Sequence, residues 1–254
     1  MAKSTGLGDN AYVGGFDLSS NVLSLDNAHG GPNPLDVTPI NAFGFARLGG
    51  QRDGEINFTT AMDTVAGAEH AALSGLPTTD VILTYVMGLG AAQVIGNPAM
   101  CLLGKQVNYD PTRDQAGNLQ FKVQAVANGF GIEMNAISLT PGLRTDGAAT
   151  AAGPANSFDT GASLSFGGQA YLQVTAFAGT SVTASIWDSA DNITFAAVST
   201  FAFTAVSAAP ASQRIVIANN ATIRRYVAVA TTGTFSNAVF NVALVKNTLA
   251  GQVF

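Results

Sequence analysis

Short runs of alternating apolar and polar residues, each ended by Gly, Asn, Asp or Pro, limit the folds open to this chain more than any other feature. In residues 119–128, Leu119, Phe121, Val123 and Ala125 fall on one side, and Gln120, Lys122 and Gln124 on the other. A period of two sends successive side chains to opposite faces of a strand, one dry and one polar. Residues 55–60 repeat the pattern, with Ile56 and Phe58 against Glu55, Asn57 and Thr59. Further runs at 10–16, 20–25, 81–87, 99–109 and 130–139 read as strands, and residues 109–118 as a hairpin turn. Eight more follow, at 162–166, 169–177, 181–187, 193–198, 200–204, 213–217, 223–230 and 237–245. Their spacing is that of a β-sandwich. The expected fold class is mainly β.

Two segments break the pattern. Residues 65–75 are the one good helix candidate, with Val65, Ala68, Ala72 and Leu73 on one stripe and Gly75 and Pro77 at its end. Residues 27–50 are rich in Gly, Pro and Asn and predict a long loop holding at most one short strand, near residues 35–38. Loops of this length are commonly functional or interface-forming. Leu35, Val37, Ile40, Phe43, Phe45 and Leu48 give this one apolar side chains with which to dock. Residues 145–157 carry no large apolar side chain and cannot be core. The expected organisation is a first domain over 1–142, a linker over 143–157 and a β-sandwich over 158–254.

Charged residues are 11% of the chain, below half the usual share of ~25%. A lone domain normally carries more charge to resist association, so the composition implies a surface covered by partners or an uncharged, displayed β protein. The charge is uneven. Residues 1–157 hold thirteen acids against seven bases, a net of −6, and residues 158–254 hold three against four, a net of +1. The first residues lack the apolar stretch of a signal peptide, and no apolar run approaches the ~18 residues of a membrane span. Neither export nor a membrane is expected, and the product should accumulate in the cytoplasm.

Polar groups suited to catalysis are sparse, so no enzyme, cofactor or metal is expected. The histidines, His29 and His70, lie far apart in sequence with no Gly-x-Ser-x-Gly elbow. Glu69 and Glu133 are expected to be solvated. Cys101, the only cysteine, sits in an apolar run and reads as a buried, inert thiol. Residues 188–192 lack the full spacing of a calcium loop and read as an Asx turn. One doubled base, Arg224-Arg225, cannot neutralise enough phosphate to bind nucleic acid.

Several strings carry a likeness to one known family. In the front half these are Leu35-Asp36-Val37-Thr38-Pro39-Ile40, Arg47-Leu48-Gly49-Gly50-Gln51-Arg52-Asp53-Gly54-Glu55-Ile56-Asn57-Phe58, His70-Ala71-Ala72-Leu73-Ser74-Gly75-Leu76-Pro77-Thr78-Thr79-Asp80 and Lys105-Gln106-Val107-Asn108-Tyr109-Asp110-Pro111-Thr112-Arg113. In the back half they are Gln169-Ala170-Tyr171-Leu172-Gln173-Val174, Ser189-Ala190-Asp191, Arg225-Tyr226-Val227 and Gly233-Thr234-Phe235. In their order along nearly the whole chain, these strings resemble the major tail tube proteins of long-tailed, non-contractile (siphovirus-like) bacteriophages, and the order carries the likeness. It implies a first domain that is a tail-tube-type β-sandwich or partial barrel with one flanking helix. An Ig-like or jelly-roll-like sandwich would decorate it. Homohexameric rings would stack into a tube around the tape measure protein and, later, phage DNA, with assembly in the host cytoplasm and residence in the virion tail.

A conduit for DNA must not grip it, and a net-negative first domain has the right sign. Glu55, Asn57, Thr59, Gln120 and Gln124 are the candidate lumen-facing residues; Lys122 shares the face of the last two and counts against it. The six apolar residues of 35–48 are the candidate contacts between subunits or rings. Trp187, Tyr171 and Tyr226 are candidate stacking surfaces for host glycans, with passive decoration the default. The rival reading is a two-domain, surface-displayed glycan-binding module or adhesin.

Overall fold

The computed structural model describes residues 4–250, and in them the alternating runs become thirteen strands. In chain order these begin with β1 (Asn10–Val13), β2 (Phe16–Asp17), β3 (Val22–Asp36) and β4 (Arg47–Ala61). The short helix α1 (Glu69–Leu73) precedes β5 (Val81–Val86), β6 (Pro98–Arg113), β7 (Leu119–Ser138), β8 (Arg144–Asp146) and β9 (Ser157–Asp159). The long β10 (Gly168–Ser189), β11 (Ala196–Ala202), β12 (Ala211–Ile217) and β13 (Tyr226–Lys246) complete the chain. All belong to one hydrogen-bonded antiparallel sheet, whose main path runs β11-β10-β13-β7-β6-β5-β1-β2. The ribbon β3–β4 branches from β7, and β12 pairs with β10. The fold is mainly β, as expected, and of sandwich type.

Burial follows parity. On β4 and β7, Ile56, Phe58, Phe121, Val123 and Ala125 turn inward, and all but Phe121 join Leu18, Leu73, Leu83, Met100 and Leu102 in one apolar core. A second core lies under β10–β13, with Leu172, Ile186, Phe201, Val229, Phe240 and Leu244. Between them a third cluster joins Tyr12, Ile82, Val86 and Cys101 to Tyr171, Ala243 and Val245. The first stretch of β10 is therefore buried on both faces. Even-numbered Ala170, Leu172 and Val174 fill the second core, while Gln169, Tyr171 and Gln173 face the strands of the first.

Gln173 ties this junction. Its Oε1 accepts from Gly15 N at 2.7 Å, and its Nε2 donates to Ile82 O at 3.0 Å and Thr84 Oγ1 at 3.2 Å. On β13, Asn241 Nδ2 donates to Ser138 Oγ, Thr140 Oγ1 and Gly142 O. The stretch after residue 143 is pinned along β13. β8 and β9 pair with it, and Asp146, held by both Arg144 and Thr231, is buried.

Several local expectations are corrected. Residues 27–36 and 47–50 are strand, the outer part of a long β3–β4 ribbon, leaving only residues 37–46 as its loop. β3 is an edge strand, where missing proline N–H groups cost no ladder bond, and a register shift at Pro32/Pro34 absorbs both prolines. The helix covers only Glu69–Leu73, because Gly67 takes a positive φ of 84° just before it. The run at 10–16 is broken at Gly14 and Gly15, both at positive φ, which turn β1 back onto β2. The stretch 162–166 makes only an isolated bridge, Leu164 to Ile223. Paired runs at 169–177/181–187 and 223–230/237–245 fuse into β10 and β13, which bend together through register shifts near Gly179.

Candidate functional site: a polar sheet face and an apolar ribbon tip

Strand register assembles the outward face of β4, β7 and β6. Asn57 lies opposite Gln124, Thr59 opposite Lys122, and Ala61 opposite Gln120. Directly paired residues of antiparallel strands share a face, so the five polar residues singled out from the sequence, and Lys122 with them, stand on one surface. β6 extends it with Asn108, Asp110 and Thr112, opposite Gln124, Lys122 and Gln120. From β3 come Asn27 and His29, opposite Asn57 and Glu55.

Glu55 is the hub of this face. Its Oε2 accepts from Gln124 Nε2 at 2.8 Å and its Oε1 from Asn57 Nδ2 at 2.9 Å. His29 Nδ1 stands 3.3 Å from Oε1. Nearby, Thr59 donates to Asp26 Oδ2 at 2.7 Å, and Asn108 Oδ1 accepts from Gln124 N at 2.7 Å. The face thus sets the carboxylates Asp26, Glu55 and Asp110 against the amine of Lys122. Its side chains are largely committed to one another, which makes it a stiff, net-negative wall. Sequence reading missed Asp26, Asn27, His29 and the β6 residues. The alternation of Asn108, Asp110 and Thr112 was a usable signal, whereas Asp26 reaches the face only through a register shift between Leu25 and Asn27.

Beyond Gly30 and Gly54 the two strands of the ribbon pair only with each other among the described residues: β4 pairs with β7 only from Glu55 to Ala61. Its tip is ordered by local bonds. Asp36 Oδ1 accepts from Thr38 N and Oγ1, Thr38 Oγ1 accepts from Ala46 N, and Val37 N donates to Ala46 O. The two bonds from Thr38 hold the Asp36 carboxyl below the usual carboxylate range. All six apolar residues of the tip are exposed, Ile40 and Phe43 completely, at 106% and 110%. Arg47 stacks over Phe45 at 4.8 Å.

The other residues singled out from the sequence do not gather into one site. Tyr171 is fully buried, its hydroxyl donating to Gln169 Oε1, and offers no stacking surface; Trp187 and Tyr226 are half-buried. Glu69 and Glu133, expected in solvent, are both buried, with different partners. Glu69 accepts from Thr60 Oγ1 and Asp63 N, and Glu133 faces Arg52. Cys101 is buried, and its thiol is pushed up by that burial. Asp191 caps its own turn, accepting from Ile193 N and Thr194 N. No cluster of three or more His, Cys, Asp or Glu among the described residues has the geometry for a metal ion.

The doubled arginine is spent on ion pairs. Arg224 clasps Asp188, and Arg225 makes two bonds to Asp159, at 2.7 and 2.6 Å. The Arg225 bond holds the Asp159 carboxyl at about 2, from a usual 3.8. Unfolded, Asp159 takes up its proton at higher pH than when folded. The stability it supplies is therefore complete above pH 3.8 and disappears as pH falls through about 2. Arg225→Ala is expected to flatten the acid limb of a stability-versus-pH curve in that window, by a small amount because the pair is exposed.

No protein family matches the sequence, and no curated protein does. Among solved structures, one similar chain comes from the tail of an empty GTA particle with C6 symmetry, at 12% identity and a TM-score of 0.36, over 45% of this chain and 82% of that one. The SPP1 Dit protein, described as a paradigm of hub adsorption apparatus in Gram-positive infecting phages, aligns with 94% of this chain and 99% of its own at 11% identity and a TM-score of 0.33. A chain of infectious bursal disease virus, Gx strain, covers 93% of this chain and 55% of its own at 14% identity and a TM-score of 0.20. Likeness this distant leaves this chain's function to its own residues.

Proposed function

We propose that the protein is a structural component of a bacteriophage tail, whose copies assemble into stacked rings that form the tail tube and conduct DNA into the host. One observation carries the reading: an ordered ribbon tip displays Leu35, Val37, Ile40, Phe43, Phe45 and Leu48 to solvent, and nothing among the described residues covers them. A projecting apolar tip in a chain of low charge is accounted for if another copy buries it. Tip and receiving surface are different patches, so contacts are head-to-tail; they generate rings where the rotation closes and filaments where it does not. The sequence resemblance supports hexameric rings enclosing the tape measure protein. Toward the host surface the C-terminal strands are passive decoration and bind no glycan.

The polar face of β4, β7 and β6 is the proposed lining of the bore. Its net negative charge and mutually bonded side chains present duplex DNA with little to bind, since affinity for the phosphate backbone depends on accumulated Lys and Arg. Glu55→Lys places a cation at the hub of this face and is expected to slow DNA ejection from assembled particles. Unchanged packaging and ejection would show that the face points elsewhere. The assembly itself is tested by negative-stain electron microscopy of the purified protein. Rings or tubes that grow with concentration are expected, whereas single particles with measurable glycan affinity would favour a surface-displayed binding module.

A further inference from the structure

Residues 130–133 touch the ribbon on one side and the C-terminal strands on the other. Here β7 leaves and rejoins its ladder with β6, the register passing from Gly104–Ala127 to Leu102–Ile132. Ile132 wedges against the ribbon root: a Cβ at Gly30 would stand 2.3 Å, and one at Gly54 2.7 Å, from its Cγ2. Arg52, two residues further along the ribbon, places Nη2 3.5 Å from Oε1 of Glu133, which is 1% exposed. On the other side the Arg214 guanidinium of β12 lies 3.8 Å over the Phe130 ring, and its Nε donates to Gln169 Oε1 at 2.8 Å. Gln169 Nε2 and Arg214 Nη2 are buried without a hydrogen-bond partner, and Glu133 Oε1 accepts no hydrogen bond and has Arg52 as its salt-bridge partner. Buried polar networks left partly unsatisfied are costly, and such a cost persists where the surrounding structure imposes it.

We propose that Arg52 and Glu133, braced by the stacking of Arg214 on Phe130, form a latch through which β10 and β12 fix the angle of the β3–β4 ribbon. The C-terminal strands then act on the apolar tip without touching it. The latch bears on the proposed assembly, because the ribbon carries the tip, yet it is a property of the single chain and is tested on it. The charged groups around Glu133 are Arg52 and Arg214, with the Tyr171 hydroxyl and Cys101 thiol near. Burial raises the Glu133 carboxyl above its usual 4.5, and Arg52, the Gln169 amide and Arg214 only partly oppose it. Folded Glu133 thus binds its proton more readily than unfolded Glu133. Its charge costs the fold stability at neutral pH, and that cost is relieved as pH falls through the raised value.

The test is amide hydrogen exchange of the full chain at a concentration where it sediments as a monomer. Arg214→Ala, on a strand that does not pair with the ribbon, is expected to speed exchange across residues 47–54 by about fivefold or more, and Arg52→Ala is expected to do the same. Arg225→Ala, which breaks the Asp159 pair and the stacking over Tyr226, far from the ribbon, should leave those rates alone. Glu133→Gln should loosen the ribbon while Tm stays level or rises, which a merely structural side chain would not do. Wild-type ribbon exchange in Arg214→Ala, equal loosening by Arg225→Ala, or a fall in Tm without loosening in Glu133→Gln would each overturn the latch.

Discussion

Replacing Ile40 and Phe43 together with aspartate is expected to abolish self-association and leave the fold intact. Both side chains are completely exposed in the single chain, so their loss removes no core contact, and substitutions at such sites usually change stability by about 0.5 kcal/mol or less. In an assembly each would bury a large apolar side chain, worth about 1.5–3 kcal/mol. Aspartate adds the cost of desolvating a charge. Together these weaken each contact by about 3–6 kcal/mol, or roughly 10²–10⁴-fold. Sedimentation velocity with a parallel thermal melt separates the two outcomes. Wild-type association by the double variant would remove the tip from the interface.

Gln173→Ala is expected to cost about 2–3 kcal/mol of stability, far more than a polar substitution on an ordinary strand. The side chain closes the junction between the first-half strands and β10, filling both its acceptor and its donor. Truncation strands the Gly15 N–H in a dry place and opens a cavity beside Thr84. Ile82 O keeps another donor, Gly14 N, which limits the loss. Chemical denaturation measures it through the shift in midpoint at constant slope. A shift below about 0.5 kcal/mol would mean that water replaces the amide at no cost.

What was legible in the sequence depended on how many faces of a strand are buried. Residues 55–60 and 119–128 have one dry and one polar face, so their alternation fixed both the strands and the sides of Glu55, Asn57, Gln120 and Gln124. The start of β10 has two buried faces, and there alternation does not tell a solvent-facing glutamine from the junction residues that Gln169 and Gln173 are. Glu69 and Glu133 misled in the same way, because a carboxylate paired by the fold looks like any other in one dimension. The ribbon was hidden by its own composition. Prolines and glycines that break an interior strand are tolerated at an edge, and edge position is a property of pairing. Its apolar tip was legible because six large apolar residues in a Gly- and Pro-rich stretch need burial somewhere, and the described part of the single chain does not supply it.

The most direct measurement is a photo-crosslinking residue placed at Phe43 and activated in the purified protein over a range of concentrations. Bonds from position 43 to another copy of the same chain, rising with concentration as a ladder of covalent multimers, are the predicted result. Crosslinks confined to the chain that carries the probe, or none at concentrations where particles form, would contradict it.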